Sequence, residues 1–268
     1  MLLPQISAIF WDVGGVLLTN AWDRSQRERA LEQFKLDQAE FLDRHEMLVS
    51  SLERGKIGFD EYLDRTIFYR SRPFAREVFK DYVFSLSQPH REVLAVAEQL
   101  AKSGKYFMAT INNESKELNQ YRIQTFGLRE IFSVFVSSCF VGLRKPEDGI
   151  YRLALEVTQK SPQDCCFIDD RALNLEGARQ LGMATSSPIA PVVAKIPIEM
   201  MCIAQRRATW RTKGLRSPCF IGFLGVCSAI VSIGSRHCAR QVAPRPRTPP
   251  ASRSPSLPIR ARAPCHLT

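Results

Sequence analysis

The sequence predicts an α/β fold: a Rossmann-like, doubly wound parallel sheet with a small α-helical cap inserted after the first strand. Three observations predict it. After Pro89, helical stretches alternate with short apolar runs. Residues 20–87 carry helical spacing and no convincing strand. The apolar runs end in polar residues: Asp12, Asn112, Lys145 just past the third run, and Asp169 with Asp170. Strand and helix alternating through short links is the pattern of a parallel sheet covered on both faces.

The elements follow in order. Residues 6–12, ISAIFWD, form an apolar run ending at a Gly-Gly turn, as a strand buried on both faces does. In WDRSQRERALEQFKL, QAEFLDRHEMLVSSLERG, FDEYLDRTIFYR and FAREVFKDYVFSL the apolar residues recur three and four apart. Gly55, Gly58 and Pro73 divide these into separate helices. Beyond Pro89, helix REVLAVAEQLAKSG leads to strand KYFMATI, SKELNQYRIQTFG to FSVFVSS, and EDGIYRLALEVTQ to CCFIDD, with helix RALNLEGARQLG closing the series. Past Met183 the pattern decays, though SSPIAPVVAKIPIEM could hold one more strand. The expected domains are a core of residues 1–19 and 88–190, a cap of 20–87, and a basic Pro/Arg-rich tail of 191–268. Ten of the 16 prolines lie after residue 190, and such a composition is expected to be disordered.

The net charge of +10 is unevenly spread: 13 of the 37 Lys and Arg residues lie from residue 190 onward, against one acid, Glu199. The part before residue 190 therefore carries about −2 and the rest about +12, so whole-chain basicity says little about what the folded part binds. The tail also lacks aromatics interleaved with its arginines, and no nucleic-acid partner is expected. Of eight cysteines, Cys139, Cys165 and Cys166 precede the tail, and no pair has C-x-x-C spacing. A reduced, cytoplasmic setting fits. FWD is reached by residue 12 with no basic stretch before it, so no signal peptide is expected. The longest apolar run, 219–233, is shorter than the ~20 residues of a membrane span, so no membrane partner is expected.

In a parallel sheet with right-handed crossovers, consecutive strand ends meet at one edge. Asp12, Asn112, Asn113, Lys145, Asp169 and Asp170 should therefore converge. Crowded carboxylates repel unless a cation neutralises them, which implies a hard divalent ion such as Mg²⁺. A carboxylate, a lysine and Mg²⁺ around one point suit phosphoryl transfer. Each residue also has an ordinary reading. Asp12 could form a turn, Asn112 and Asn113 could cap a helix, Lys145 could be solvated, and Asp169 and Asp170 could favour a helix N-terminus. Four such features in order, each at a strand's carboxyl end, outweigh those readings. In the inserted region His45, Arg65, Arg70, Arg72 and Arg76 are candidates to meet a substrate, with a solvated helix surface as the alternative.

Four motifs now stand in order: FWDVGGVL, MATINNES, VGLRKPEDGIYRLAL and CCFIDDRALNLEGARQLGM. With them the chain resembles the haloacid dehalogenase superfamily of hydrolases, in its phosphatase-like branch with a small helical cap, over roughly residues 6 to 183. The resemblance implies that Asp12 attacks phosphorus to form an aspartyl-phosphate. It implies Mg²⁺ held by Asp12, the Gly14 carbonyl and the acids Asp169 and Asp170, with Asp170 the more direct ligand. Asn112, with Asn113 beside it, would bind the phosphoryl group, and Lys145 would neutralise nucleophile and phosphate. Asn174 follows in the fourth motif.

Two departures accompany the resemblance. Most phosphatases of the family carry a second aspartate two residues after the nucleophile, as general acid; here that position is Gly14, expected to sit in a backbone permissive of left-handed geometry. The family's closing strand and helix fade near Thr185. The implied function is a Mg²⁺-dependent phosphatase of small, sugar phosphate-like phosphomonoesters, with a small phosphorylated metabolite as partner and the oligomeric state open. A 2-haloacid dehalogenase-type hydrolase, or a catalytically weak phosphate-binding protein, is the alternative.

Overall fold

The computed structural model of the chain describes residues 6–187. Five parallel strands form one sheet: β1 (Ala8–Trp11), β2 (Phe107–Asn112), β3 (Val134–Ser137), β4 (Cys165–Ile168) and β5 (Ala184–Ser186), in the spatial order β3-β2-β1-β4-β5. The central strand β1 pairs Ala8 with Phe107 on one side and with Cys165 on the other. Its four residues are fully buried, as an unbroken apolar run requires.

The sheet is covered on both faces because alternate side chains of each strand point to opposite sides. Ile9 and Trp11 pack with Val93 and Ala97 of α5 (Arg91–Lys102) and Ile123 of α6 (Lys116–Thr125). Ala8 and Phe10 pack with Ile150 and Ala154 of α8 (Asp148–Thr158) and Leu175 and Ala178 of α9 (Ala172–Gln180). The one-turn helix α7 (Ser138–Val141), directly after β3, is an addition to the predicted series. So is β5, which begins two residues before the stretch expected to hold a further strand. Three residues are too few to show a periodicity, and β5 is specified by pairing Cys166 with Ala184. The expectations for the tail, and for any strand from residue 188 on, lie outside the described residues. No helix among the described residues is long and apolar enough to cross a membrane.

Between β1 and α5 the chain forms α1 (Arg24–Gln33), α2 (Gln38–Glu53), α3 (Phe59–Thr66) and α4 (Arg76–Ser85), without a strand. Asp23 starts α1 by accepting from the Gln26 backbone N–H, while Gln26 answers back to Asp23, a reciprocal cap. These helices bury a core of their own around Phe41, Phe59, Tyr62, Phe79 and Val83. Trp22 meets the rings of Phe41, Phe59 and Phe79 edge-on at centroid distances of 5.9–6.4 Å. Gly55, with φ 67°, turns the chain after α2 where any Cβ would strike the Cys139 backbone of α7.

The incoming and outgoing linkers of this insertion run side by side. The Thr19 N–H donates to the Gln88 carbonyl, and the Gln88 N–H to the Thr19 hydroxyl, both at 2.8 Å. One buried guanidinium ties both linkers to α6. Arg122 donates to the Thr19 and Asn20 carbonyls (2.9 and 2.6 Å), to the Ser87 hydroxyl (3.1 Å) and to the Glu114 carboxylate (2.7 Å). Removing it strands four acceptors, among them a buried charge, a loss of about 3–5 kcal/mol. Arg122→Met should therefore lower the melting temperature by roughly 10 °C, checked by calorimetry. An unchanged melt would show that the linkers hold without it.

Candidate active site

Asp12 continues β1 into the loop, its N–H still donating to the Ile168 carbonyl at 2.8 Å. Its side chain is oriented by two donors on one oxygen: Oδ1 accepts from the Val13 N–H and from Lys145 Nζ, each at 2.8 Å. Lys145 follows β3 and α7 and is itself fully buried; the same Nζ reaches Asp169 Oδ2 at 2.7 Å. Asp169, just past β4, is completely buried, and its oxygens also accept from Asn174 Nδ2 (3.0 and 2.9 Å) and the Arg171 N–H (2.8 Å). Asn174 belongs to the first turn of α9, so the helix brings its amide back over the acid that precedes it.

The electrostatics follow from burying these groups together. Burial pushes the Asp12 carboxyl up to about 7, against the pull of Lys145, and the neighbouring Asp169 adds to the rise. Burial works against the Lys145 ammonium, but Asp12 and Asp169 outweigh it and hold its pKa above the ordinary lysine value. Asp170 is exposed, and its carboxyl is raised by partial burial and by Asp169. One oxygen of each of Asp12, Asp169 and Asp170 lies within 4.8 Å of the others. Three carboxylates against one ammonium leave excess negative charge, and that donor set suits a hard divalent cation. Within it Asp169 is engaged on both oxygens by Lys145, Asn174 and Arg171. Of the three carboxylates, that of Asp170 is the exposed one. Asp169 thus anchors Lys145 while remaining part of the acidic cluster, beside the more exposed Asp170.

The loop after Asp12 passes close to Asp170. Gly15, with φ 77°, is the left-handed residue, and a Cβ there would enter the Asp170 carboxylate. The left-handed geometry expected of Gly14 belongs to its neighbour.

Asn112 and Asn113 stand at the end of β2. Asn112, the last residue of β2, is buried; its Nδ2 donates to Asn119 Oδ1 (3.0 Å), and its Oδ1 accepts from the Ser137 hydroxyl (2.9 Å). Asn113 clamps the backbone of Lys145, donating to its carbonyl and accepting from its N–H, both at 2.9 Å. The two amides brace the strand end and the loop that carries the lysine, and Asn113 also lines the cavity that Asp12 and Lys145 open on. The reason is local: β2 and β3 are paired with Asn112 opposite Ser137, so the amide finds a hydroxyl beside it.

Asp12 and Lys145 open on a cavity of about 570 Å³ that is shared with the insertion. Arg27, His45 and Glu53 line it from α1 and α2. His45 is bonded to the Tyr62 hydroxyl through Nδ1 at 2.7 Å and stacks on Phe41; burial and the nearby Arg27 lower its pKa to about 4, so it stays neutral. Arg27 donates to the Trp22 carbonyl at 2.6 Å, while its buried Nε has no protein partner. Glu53 pairs with Arg144 across the cavity at 2.8 Å. Arg65, Arg70 and Arg76 instead form ion pairs with Glu61, Glu40 and Asp64, and Arg72 donates to the Ile67 carbonyl, so none belongs to this lining. Sequence reasoning missed Glu114 and Arg122. Glu114 lies in the turn before α6, bound to Arg122, and burial pushes its carboxyl up to about 7 despite that guanidinium. A signal existed: Leu118, Asn119, Arg122 and Ile123 form one buried stripe, and polar residues on such a stripe need partners.

The raised carboxyls make a measurable pH dependence. A carboxyl whose folded pKa lies above its unfolded value stabilises the fold fully below the unfolded pKa, and that stability is lost as pH rises through the folded pKa. The window runs from 3.8 to about 7 for Asp12 and from 4.5 to about 7 for Glu114. Metal-free protein should therefore melt lower at pH 8 than at pH 5. Mg²⁺ should raise the melting temperature at pH 8 and little at pH 5, because it binds ionised oxygens of the folded state. Asp170→Asn should lose most of the Mg²⁺ shift; an equal shift at both pH values, or one that survives the substitution, would place the ion elsewhere.

The haloacid dehalogenase-like hydrolase family signature matches residues 6–182. The bifunctional epoxide hydrolase 2 of Sus scrofa is 27% identical over 199 residues, 67% of this chain and 36% of that protein. The chain thus spans about a third of the length of the epoxide hydrolases it matches. A phosphatase of Mycobacterium tuberculosis is 26% identical over 186 residues, 67% of this chain and 85% of that one. In fold, the chain is similar to a HAD family enzyme of Bacteroides thetaiotaomicron solved with magnesium and inorganic phosphate. The TM-score is 0.56 at 24% identity, covering 69% of this chain and 95% of that chain.

Proposed function

The chain belongs to the haloacid dehalogenase-like hydrolases, and from that premise we propose that it is a Mg²⁺-dependent phosphatase of small phosphomonoesters, acting through an aspartyl-phosphate. The observation that carries this reading is the held nucleophile. Asp12 Oδ1 is fixed by Lys145 and the Val13 N–H, which leaves Oδ2 to attack. Lys145 is locked in turn by Asp169 through its ammonium and by Asn113 through its backbone. A nucleophile prevented from rotating, beside a fixed positive charge, is what in-line attack on phosphorus requires.

The steps then fall to this chain's residues. Asp12 Oδ2 forms a bond to phosphorus as the bond to the leaving oxygen breaks. Lys145 stabilises charge on the equatorial oxygens. Water attacks the phosphorus of the aspartyl-phosphate, freeing phosphate and restoring Asp12. Asp12, Asp170 and the Gly14 carbonyl would hold the metal ion, whose charge, when bound, neutralises the phosphoryl group and orients it. Two comparisons support the reading: the mycobacterial relative is named a phosphatase, and the Bacteroides enzyme holds magnesium with phosphate.

p-Nitrophenyl phosphate should be hydrolysed with Mg²⁺ and not with EDTA, and Asp12→Asn should lower turnover by roughly 10³-fold or more with an unchanged circular dichroism spectrum. Sugar, nucleotide and small organic phosphates should then be ranked by kcat/KM. Metal-independent halide release from 2-chloropropionate would instead establish the dehalogenase. Phosphate binding without any turnover would establish a binding protein.

A further inference from the structure

Attack by Asp12 expels an oxygen that needs a proton, and the residue two positions on, Gly14, has no side chain to give one. We propose that Glu114 is the proton donor to the leaving oxygen, reaching the site from the turn before α6 across the cavity that it lines together with Asp12, Gly14 and Lys145. The inference rests on the phosphatase reading above.

The geometry begins at Gly14. A Cβ built there would lie 2.8 Å from Asn20 Oδ1 and 3.3 Å from Arg122 Nη1. The same Nη1 donates to Glu114 Oε2 at 2.7 Å. A carboxyl therefore stands one guanidinium nitrogen beyond the missing side chain, and Glu114 lines the cavity together with Asp12, Gly14 and Lys145. Its side chain is 11% exposed against 2% for that of Arg122, and both residues line the cavity. Its position relative to the nucleophile is fixed through the chain: the preceding residue, Asn113, grips Lys145, and Lys145 grips Asp12.

Of the other acids lining the cavity, Asp12 is the nucleophile and Asp23 caps α1; Glu53, paired with Arg144 as Glu114 is with Arg122, belongs to α2 of the insertion rather than to a loop at the sheet edge. The surroundings also suit proton transfer near neutral pH. Burial raises the Glu114 carboxyl to about 7, Arg122 and the Ser115 N–H draw it down, and Glu53 pushes it up. Cys139, which also faces Glu114, has its thiol pushed up to about 12 and stays neutral. An acid with a pKa near the working pH is populated in both the form that gives and the form that takes a proton.

The step balances. As the bond from Asp12 Oδ2 to phosphorus forms and the bond to the leaving oxygen breaks, the Glu114 proton passes to that oxygen. The alcohol departs, and the carboxylate is held by Arg122. It then takes a proton from the water that attacks the aspartyl-phosphate, returning Glu114 to its acid form. The sum is phosphomonoester and water to alcohol and phosphate.

The test is Glu114→Gln, which keeps an acceptor for Arg122 but carries no transferable proton. Turnover is measured with Mg²⁺ over a series of aryl and alkyl phosphates of rising leaving-group pKa. The wild type should depend weakly on leaving group. The variant should depend steeply, with alkyl phosphates slowed about 10²–10³-fold and p-nitrophenyl phosphate less than about 10-fold, since p-nitrophenolate departs unprotonated. The basic limb near pH 7 in the alkyl-phosphate kcat profile should vanish. Glu114→Asp, which keeps a carboxyl of shorter reach, should restore part of the alkyl-phosphate rate, and thermal melts exclude unfolding as the cause. An equal loss across all leaving groups, or an unchanged basic limb, would reduce Glu114 to a structural partner of Arg122. A wild type inert toward p-nitrophenyl phosphate would instead overturn the phosphatase reading itself.

Discussion

The site depends on one buried ammonium. Lys145 Nζ lies between Asp12 and Asp169 at 2.8 and 2.7 Å, and its side chain is buried. Removing a charge from water carries a penalty that only close partners offset. Two carboxylates on one ammonium meet that requirement and leave a net negative charge, to which Asp170 adds. Much of the local architecture serves this arrangement. Asn113 fixes the backbone at Lys145, Asn174 and the Arg171 N–H hold Asp169, and the Val13 N–H orients Asp12. The donors follow three different strands, β1, β2 and β4, so the charge cluster exists only if the parallel sheet brings those ends to one edge.

A second buried cation does comparable work at the base of the insertion. Arg122 binds both linkers of the inserted helices and the Glu114 carboxylate. The hinge and the cavity wall therefore share one guanidinium, and a change at either is felt by the other. Farther out, Arg54 bonds the Gly142 carbonyl and Glu147, and Glu53 bonds Arg144, so the end of α2 is fastened to the loop that delivers Lys145. Charged and polar contacts join the insertion to the core together with the Phe84–Tyr121 ring contact, while most of its apolar residues close on themselves around Trp22, Phe59 and Phe79. Packing stabilises each part, and hydrogen bonds set how the insertion meets the edge of the sheet.

The cavity between them carries more positive than negative side chains. Arg144 is matched by Glu53 and Arg122 by Glu114, whereas the buried Nε of Arg27 is unmatched within the protein. An anionic substrate would be drawn toward such a surface. His45 adds no charge at neutral pH, because burial and Arg27 keep its ring neutral.

The α/β alternation, the helical insertion and the convergence of Asp12, Lys145, Asp169 and Asp170 were legible in the sequence. They rest on local rules: apolar runs make buried strands, spacing of three and four makes helices, and parallel strands align their carboxyl ends. What each polar group touches was decided by tertiary structure. Asn112 and Asn113 turn to Ser137, Asn119 and the Lys145 backbone because the register places those partners beside them. Asp169 anchors the lysine while Asp170 faces outward, although the two are adjacent in sequence and chemically identical. The short strand β5 carried too little pattern to be found. Glu114 and Arg122 were passed over because their partners lie far along the chain, at Thr19, Asn20 and Ser87. A sequence shows which residues can carry charge; which charges are buried, and against what, follows only once segments distant in the chain have packed together and excluded water from between them.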